Sequence, residues 1–158
     1  MKKSIGVYLL NDKIFIHSKI GTQSVPVFSE PLFEIDLNSD NKFIGEKIRE
    51  CIESYQQGTR ERYDREKWKT VNDPLIKLAR EKNSKSFFSK VKNPNVVLIN
   101  DILYFNPTEN HGWKDGFKGT SFPNIELVYS QATDEDLGAA LKKAFELSSI
   151  VGHEKPNV

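Results

Sequence analysis

The sequence predicts an α+β protein made of two copies of one unit, an antiparallel β-meander followed by an amphipathic helix. In residues 133–148 and again in 39–57, apolar residues recur at spacings of three and four. A glycine follows the first apolar residue of both stripes, at Gly45 and at Gly138. Runs of strands that lead into a helix are typical of antiparallel sheets. We therefore expect one domain over residues 1–158, with two sheets and two main helices.

The strands of the first unit are marked by turns and prolines. Residues 4–10 and 13–20 are rich in β-forming side chains and flank the dipeptide Asn11-Asp12, which predicts a hairpin. Residues 25–28 and 32–37 are predicted as two further short strands. Pro26 and Pro31 lie at these strands and indicate an edge position or a strand start.

The helix of the first unit has a start signal and a stop signal. Ser39 or Asp40 is placed to cap it, and Gly58 is placed to end it after about Gln57. The single cysteine, Cys51, lies on the apolar stripe of this helix. We interpret it as a small buried apolar residue rather than a nucleophile. One cysteine also excludes a disulfide framework within the chain.

A basic connection, residues 59–86, is predicted to join the two units, and its basic character extends to Asn93. Residues 59–93 contain eleven basic and five acidic side chains, so the remainder of the chain is net acidic. Pro74 begins a predicted short helix over residues 74–81. The segment is either a solvated basic face or a nucleic-acid patch. Four aromatic side chains are compatible with the second interpretation: Tyr63, Trp68, Phe87 and Phe88.

The second unit, residues 87–149, repeats the first in the same order. Strands are predicted at 95–99 and 102–105 around Asn100-Asp101, and a further strand at 124–129 follows the polar loop 106–119. The helix from Thr133 completes the unit. Thr133 can cap this helix, and its first turn is acidic, as the helix dipole favours.

Overall composition argues for a globular protein without a bias toward polyanions. The net charge is +1, with 37% hydrophobic and 28% charged residues. No apolar run approaches the roughly 18 residues that a membrane helix needs. The apolar run near the N-terminus is broken by Gly6, Asn11 and Asp12, so we do not interpret it as a signal peptide. We expect a cytoplasmic protein that does not contact a membrane.

The histidines do not form a recognisable catalytic or metal-binding pattern. His17, His111 and His153 lack metal-ligand spacing with one another, and a single cysteine cannot complete a zinc site. Nucleophile-elbow, P-loop and dinucleotide-binding motifs are absent from the sequence. We therefore predict no catalytic, metal or cofactor site. An enzyme that uses the loop around His111, with Glu109, Lys114 and Asp115 as acid–base groups, stays an alternative.

The polar loop 106–119 is better interpreted as a recognition surface. Long polar loops that carry aromatic side chains are where soluble domains often place binding anchors. Trp113 and Phe117 are the candidate anchors in this loop. The alternative is that both side chains fold inward and cover one end of a sheet.

The C-terminal helix carries a family resemblance. An acidic first turn leads into Leu-Gly, then small and apolar residues at helical spacing, and a serine near the end. This pattern resembles the C-terminal motif of the immunity proteins of contact-dependent growth inhibition (CDI), the CdiI family. The matching residues are Asp134, Glu135, Asp136, Leu137, Gly138, Ala140, Leu141, Ala144 and Ser148.

This resemblance implies a non-enzymatic protein of the bacterial cytoplasm. Such a protein binds the toxic C-terminal domain of a delivered effector one-to-one and blocks its active site, without a cofactor or a small-molecule substrate. We expect the toxin to be a nuclease, and a ribonuclease in particular. From the character of the loop, and not from the family motif, we select six toxin-binding residues: Glu109, His111, Trp113, Asp115, Phe117 and Glu126. The alternative function is a nucleic-acid-binding α+β domain, whose binding would weaken steeply with salt.

Overall fold

The protein has the predicted α+β architecture. The computed structural model describes residues 2–22, 24–58 and 65–151. In chain order the elements are β1 Lys2–Leu10, β2 Lys13–Ile20, β3 Val27–Asp36, α1 Asn41–Glu53, α2 Arg65–Thr70, α3 Asp73–Leu78, α4 Ser84–Phe88, β4 Asn95–Ile99, β5 Ile102–Asn106, β6 Thr108–Asn110, β7 Phe117–Gly119, β8 Ile125–Val128, α5 Asp134–Leu147 and β9 Ser149–Ile150. Two sheets and the two predicted main helices, α1 and α5, are present.

The larger sheet contains both predicted meanders. Its strand order is β3-β2-β1-β4-β5-β8, and all neighbours are antiparallel. The two sheets of the prediction are present, but they do not correspond to one sheet for each meander. The first strands of the two meanders, β1 and β4, pair with each other instead, for example at Ser4 and Val97. Pairing satisfies backbone groups that would otherwise be exposed at two sheet edges.

Two identical dipeptides make the hairpin turns. Asn11 and Asp12 have φ values of 51° and 62°, and Asn100 and Asp101 have values of 49° and 66°. Asn and Asp tolerate this left-handed conformation better than other non-glycine residues, and a two-residue hairpin turn with the twist of the flanking strands requires it. Both predicted hairpins are therefore confirmed.

The smaller sheet comes from segments that the sequence did not mark as strands. Its order is β7-β6-β9. The first two strands, β6 and β7, lie within the predicted polar loop 106–119. The third, β9, follows α5 directly and pairs with β6 in parallel, with Glu109 beside Ser149. Three-residue and two-residue strands are too short to leave a periodic signal in the sequence.

The strand β3 is continuous where two strands were predicted. Its register against β2 places His17 opposite Leu32 but Ser18 opposite Ser29, so Glu30 and Pro31 lie in a bulge. Pro31 has no backbone N–H to donate, and an edge strand with a bulge accommodates this. The expected edge position is correct, whereas the break into two strands is not.

The helices α1 and α5 pack against each other on one face of the larger sheet. Asp40 accepts a hydrogen bond from the backbone N–H of Phe43 at 2.7 Å, and Thr133 forms a reciprocal capping box with Asp136. Gly45 and Gly138 lie at the helix contact. A Cβ at Gly138 would overlap the backbone of Asn41, and one at Gly45 would overlap the backbone of Asp134.

The helix α1 ends earlier than predicted. Its last residue is Glu53, with Ser54 as the C-cap, and not Gln57. Gln56 instead extends alongside the end of β2, where its carbonyl accepts from Gly21 N at 3.0 Å and its N–H donates to Lys19 O at 3.3 Å. These tertiary hydrogen bonds take the chain out of the helix before Gly58.

Two apolar clusters lie on opposite faces of the larger sheet. The first lies between the sheet and the helices α1 and α5, and includes the buried Cys51. Burial raises the pKa of the Cys51 thiol to about 12, which agrees with its interpretation as an apolar residue. The second cluster covers the opposite face of β1 and β2 and contains Tyr8, Leu10, Phe15, Leu75, Ile76, Phe87 and Val91.

The basic segment is therefore more than a connection. Its short helices α3 and α4 supply Leu75, Ile76 and Phe87 to the second cluster, while their lysines point outward. The predicted helix at Pro74 is present, but it ends at Leu78. Residues 59–64, which include Tyr63, lie outside the described residues, as does His153.

Candidate functional site

The predicted recognition loop is a β6–β7 hairpin with a fixed base. The side-chain amide of Asn110, a fully buried residue, donates to Phe88 O at 2.9 Å and to Val91 O at 2.7 Å, and its oxygen accepts from Gly112 N at 2.9 Å. Gly112 and Gly116 adopt φ values of 94° and 72°, which glycine reaches without strain. The loop therefore rests on the last residue of α4 and on the segment that follows it.

The two candidate aromatic anchors have different environments. Trp113 is 51% exposed, and its ring stacks at 6.1 Å from that of Phe88. Phe117 is half-buried and packs against the second apolar cluster. Only Trp113 thus presents a large apolar surface to a partner, while Phe117 mainly holds the hairpin in place.

The charged residues of the loop form a small mixed group. His111 Nε2 lies 3.2 Å from Glu109 Oε1, and Glu109 is cross-strand from Lys118. Asp115 is exposed at the tip of the loop. The loop can therefore offer both hydrogen-bond acceptors and hydrogen-bond donors to a partner.

Glu126 lies on a different sheet from the other selected residues. It is exposed on β8, the edge strand of the larger sheet, and is cross-strand from Tyr104. The structure thus brings together Glu109, His111, Trp113, Asp115 and Phe117 on one hairpin, and separates Glu126 from them by sheet.

A cavity of about 530 Å³ lies between the hairpin and the larger sheet. Its polar lining includes Lys19, Asn95, Asn106, Thr108 and Lys118. Burial lowers the pKa of the Lys19 ammonium, and the Asn106 Oδ1 atom is buried without a hydrogen-bond partner. This cavity can accept polar groups at the base of the recognition hairpin.

Sequence reasoning missed an apolar surface on the larger sheet. The side of the sheet opposite α1 and α5 is covered across β1 and β2 by the second cluster, but its β4–β5–β8 half is only partly covered. We call the row formed by Ile99, Ile102 and Val128 the uncovered face; in the next row Val97 is 5% exposed and Tyr104 is half-buried. Ile99 is 36% and Val128 40% exposed. The sequence contained a signal for this surface, because β4 and β5 carry apolar side chains on both faces. Such runs, however, predict burial on both faces, so the sequence did not indicate that one face would be exposed.

The other histidine within the described part of the chain is structural. His17 is 1% exposed and lies between the rings of Tyr8 and Phe28, on the expected side of β2 with Phe15. Its Nδ1 lies 2.6 Å from Ser18 O, and its Nε2 is buried without a partner. Burial lowers the pKa of His17 to about 4, so the ring is neutral at physiological pH.

The described part of the chain contains neither a cluster of metal ligands nor a membrane-spanning helix. Across residues 2–22, 24–58 and 65–151, no three His, Cys, Asp or Glu side chains group closely enough to hold a metal ion. Within the same ranges, no helix is both long and apolar enough to cross a membrane.

The fold and the exposed hairpin are those of a protein-binding domain. A fixed hairpin with an exposed tryptophan and mixed charges, on a well-packed α+β frame, is typical of a protein-binding domain. The family model described as CDI immunity protein (CdiI) matches residues 3–148. The chain therefore belongs to the CDI immunity protein family, whose members are not enzymes.

Solved structures show the same fold at low sequence identity. A protein of unknown function from Neisseria meningitidis aligns with a TM-score of 0.77 and 16% identity, over 94% of this chain and 96% of that chain. A chain of the CdiA-CT/CdiI toxin and immunity complex from Yersinia pseudotuberculosis aligns with a TM-score of 0.75 and 14% identity, over 94% and 98%. The search of curated proteins gave no match.

Proposed function

We propose that this chain binds the C-terminal toxin domain of a CDI effector one-to-one in the bacterial cytoplasm and neutralises it. Membership of the immunity protein family over residues 3–148 carries this proposal. The Yersinia toxin and immunity complex, one chain of which has the same fold, supports it. The exposed Trp113 supports it as well, because aromatic side chains contribute strongly to protein interfaces.

The toxin in this proposal is a nuclease, and specifically a ribonuclease, whose active site the chain occludes. A nuclease binds phosphates in a cationic cleft, so an inhibitor that occupies the cleft should offer carboxylates. Asp115 is exposed at the loop tip, and Glu109 lies at the base of the same hairpin. Complementary charges of this kind accelerate the encounter between partners.

The contact surface in this proposal includes the six selected residues. Trp113 is the apolar anchor, Glu109, His111 and Asp115 provide polar contacts, and Phe117 holds the hairpin from inside. Glu126 contributes from the neighbouring sheet edge. Because Asn110 and the two loop glycines fix the hairpin before binding, little ordering of this loop is required.

The test is co-purification with the C-terminal domain of any large secreted protein encoded just upstream of this chain's gene; absence of such a gene would count against the proposal. We expect a stable one-to-one complex on size exclusion and loss of the toxin's ribonuclease activity. A complex that silences a different activity would contradict the ribonuclease assignment alone. Separate elution of the two chains at micromolar concentration would contradict toxin binding itself.

One observation favours nucleic-acid binding as a second candidate. A groove of about 720 Å³ beside α3 and α4 is lined by Lys69, Lys77, Lys82 and Lys85, with Asp73 and Glu81 as its acids. Binding of single-stranded RNA by this groove should fall steeply between low and physiological salt. Absence of RNA binding at low salt would remove this candidate.

We also infer that the two meander-and-helix units arose by duplication. Three features support this inference. Both units have an Asn-Asp hairpin turn, and the two meanders lie symmetrically on either side of the β1–β4 pair. The glycines of α1 and α5 also lie at the same helix contact. Superposition of β1, β2 and α1 on β4, β5 and α5 should bring Gly45 onto Gly138. A superposition that aligns the strands but not the helices would contradict a common origin.

A further inference from the structure

The cavity of about 530 Å³ between the recognition hairpin and the larger sheet, here called the hairpin cavity, is lined by charges of one sign. Lys19 of β2 and Lys118 of β7 both line it, and none of its described lining residues is Asp or Glu. Glu109 is cross-strand from Lys118, but its carboxylate lies 3.2 Å from His111 and is not part of the lining. The hairpin cavity therefore holds positive charge without a balancing carboxylate.

The ammonium of Lys19 is the unpaired group of this cavity. Lys19 is half-buried, and within the described part of the chain its ammonium has neither a hydrogen bond nor an ion pair. Burial lowers its pKa, because the charged form loses hydration. A carboxylate that enters the cavity would restore the lost hydration through a charge-assisted hydrogen bond.

A second polar atom of the cavity also lacks a partner. The side-chain oxygen of Asn106 is buried and accepts no hydrogen bond from any described residue. A buried acceptor of this kind is unfavourable until an N–H or O–H group reaches it. A phosphate group presents mainly acceptors, whereas an acidic amino-acid residue presents a carboxylate together with a backbone N–H. The two unpaired groups, Lys19 and Asn106, together fit such a residue.

The hairpin cavity is open to solvent next to the proposed recognition surface. Asn95, Lys118 and Asn124 line it and are exposed. One wall consists of Phe117, Lys118 and Gly119, the three residues of β7. Its lining is mainly polar, whereas pockets for small organic ligands are lined mostly by apolar side chains. A protein that binds the recognition hairpin therefore lies beside an opening that suits one of its own polar residues.

We infer that the hairpin cavity receives an Asp or Glu residue of the toxin domain. The carboxylate pairs with Lys19 and Lys118, and a neighbouring backbone N–H donates to the Asn106 oxygen. This inference rests on the proposed function and adds the chemistry of one contact. The toxin surface then carries an acidic residue beside the cationic cleft that the carboxylates of the hairpin occupy. Contacts of both signs fix the orientation of the two proteins.

The experiment removes each positive charge and retains the length of the side chain. Lys19→Met and Lys118→Met should both melt close to the wild type, since methionine is unbranched and tolerated in partly buried positions. Lys3→Met is the matched control, because Lys3 is half-buried on the adjacent strand β1 and does not line the cavity. The probe is the C-terminal domain encoded upstream, titrated by calorimetry against each variant. In the wild type, the pKa of Lys19 is followed through the NMR chemical shift of its ε-carbon, in the free chain, with the probe and with free glutamate.

We expect Lys19→Met to raise the Kd at least about tenfold, Lys118→Met to raise it less, and Lys3→Met to leave it unchanged. The pKa of Lys19 should rise when the probe binds, because a carboxylate stabilises the charged form.

Two results would overturn the inference while the proposed function stands. One is a wild type that binds the probe no more tightly than Lys19→Met and Lys118→Met do. The other is a complex in which the pKa of Lys19 is unchanged, even where Lys19→Met weakens binding. A rise of this pKa with free glutamate alone would assign the cavity to a small carboxylate and would also overturn the inference. If the wild type does not bind the probe, the proposed function itself is contradicted, and the inference is wrong with it.

Discussion

The glycine at the α1–α5 contact gives the sharpest test of the fold. A Cβ added at Gly138 would lie 2.7 Å from Asn41 Cα and would overlap the Asn41 carbonyl. Unstrained carbon–carbon contacts are about 3.5–4.0 Å, so in Gly138→Ala the two helices must separate by about 1 Å. Helix propensity alone would predict that Gly138→Ala raises the free energy of unfolding by about 1 kcal/mol, whereas the steric overlap predicts that it lowers it.

The magnitude follows from what lies beneath this contact. Ile44, Ile48, Leu137 and Leu141 are fully buried between the helices and the sheet. A gap of about 1 Å forfeits a substantial part of the dispersion contacts of each side chain that it touches. We expect Gly138→Ala to lower the free energy of unfolding by about 3 kcal/mol, the upper part of the range for overpacking. In a chain of this length that lowers Tm by about 10 °C.

Thermal and urea unfolding followed by circular dichroism provide the assay. Ala139→Gly is the matched control, since Ala139 is the next residue of the same helix and is exposed. It should cost only about 1 kcal/mol through helix propensity. A Gly138→Ala variant that melts at or above the wild type would refute the close helix contact and the steric reasoning built on it.

Three further predictions concern the core, the buried histidine and the hairpin. Leu141→Asp places a charge in the first cluster and should cost several kcal/mol in urea unfolding; wild-type stability would contradict the assigned core stripe. His17 has a pKa of about 4 in the folded protein, against an ordinary value of 6.5. The stability that its neutral ring contributes is therefore fully present above pH 6.5. This stability is lost as the pH falls toward 4, which lowers the free energy of unfolding by up to about 3 kcal/mol. His17→Phe should flatten this part of the stability–pH curve, and equal slopes for wild type and His17→Phe would refute the assignment. Trp113→Ala should raise the Kd for the upstream toxin domain at least about thirtyfold, whereas Trp68→Ala, at a tryptophan of similar exposure, should leave it unchanged; the reverse order would move the interface to the basic segment.

Elements specified by local chemistry were predictable from the sequence. The hairpin turns required only Asn-Asp between two β-rich runs, and α5 required only Thr133 before an amphipathic stripe. Elements specified by distant partners were not. The strand β9 exists because Asn110 and Glu109 of β6 lie beside it, and α1 ends early because Gln56 pairs with β2.

The candidate site shows the same division. Loop composition identified the hairpin and Trp113, but it could not separate an exposed Trp113 from a half-buried Phe117, because that difference depends on the second cluster. The uncovered face was hidden for a related reason. The apolar runs of β4 and β5 predict burial on both faces, and the placement of α3 and α4 over the other half of the sheet leaves Ile99 and Val128 exposed.

The short strand β9 has a consequence for the proposed role of the hairpin in binding. Ser148 Oγ accepts from Thr108 N at 3.1 Å and donates to Ala144 O at 2.8 Å, and Val151 N donates to Asn110 O at 2.8 Å. The end of α5 is thereby fastened to the strand that begins the hairpin. A binding loop clasped in this way has little conformational entropy left to lose on association. If the hairpin binds the toxin as proposed, this preorganisation favours slow dissociation, and the complex would outlast many collisions between the toxin and its substrate.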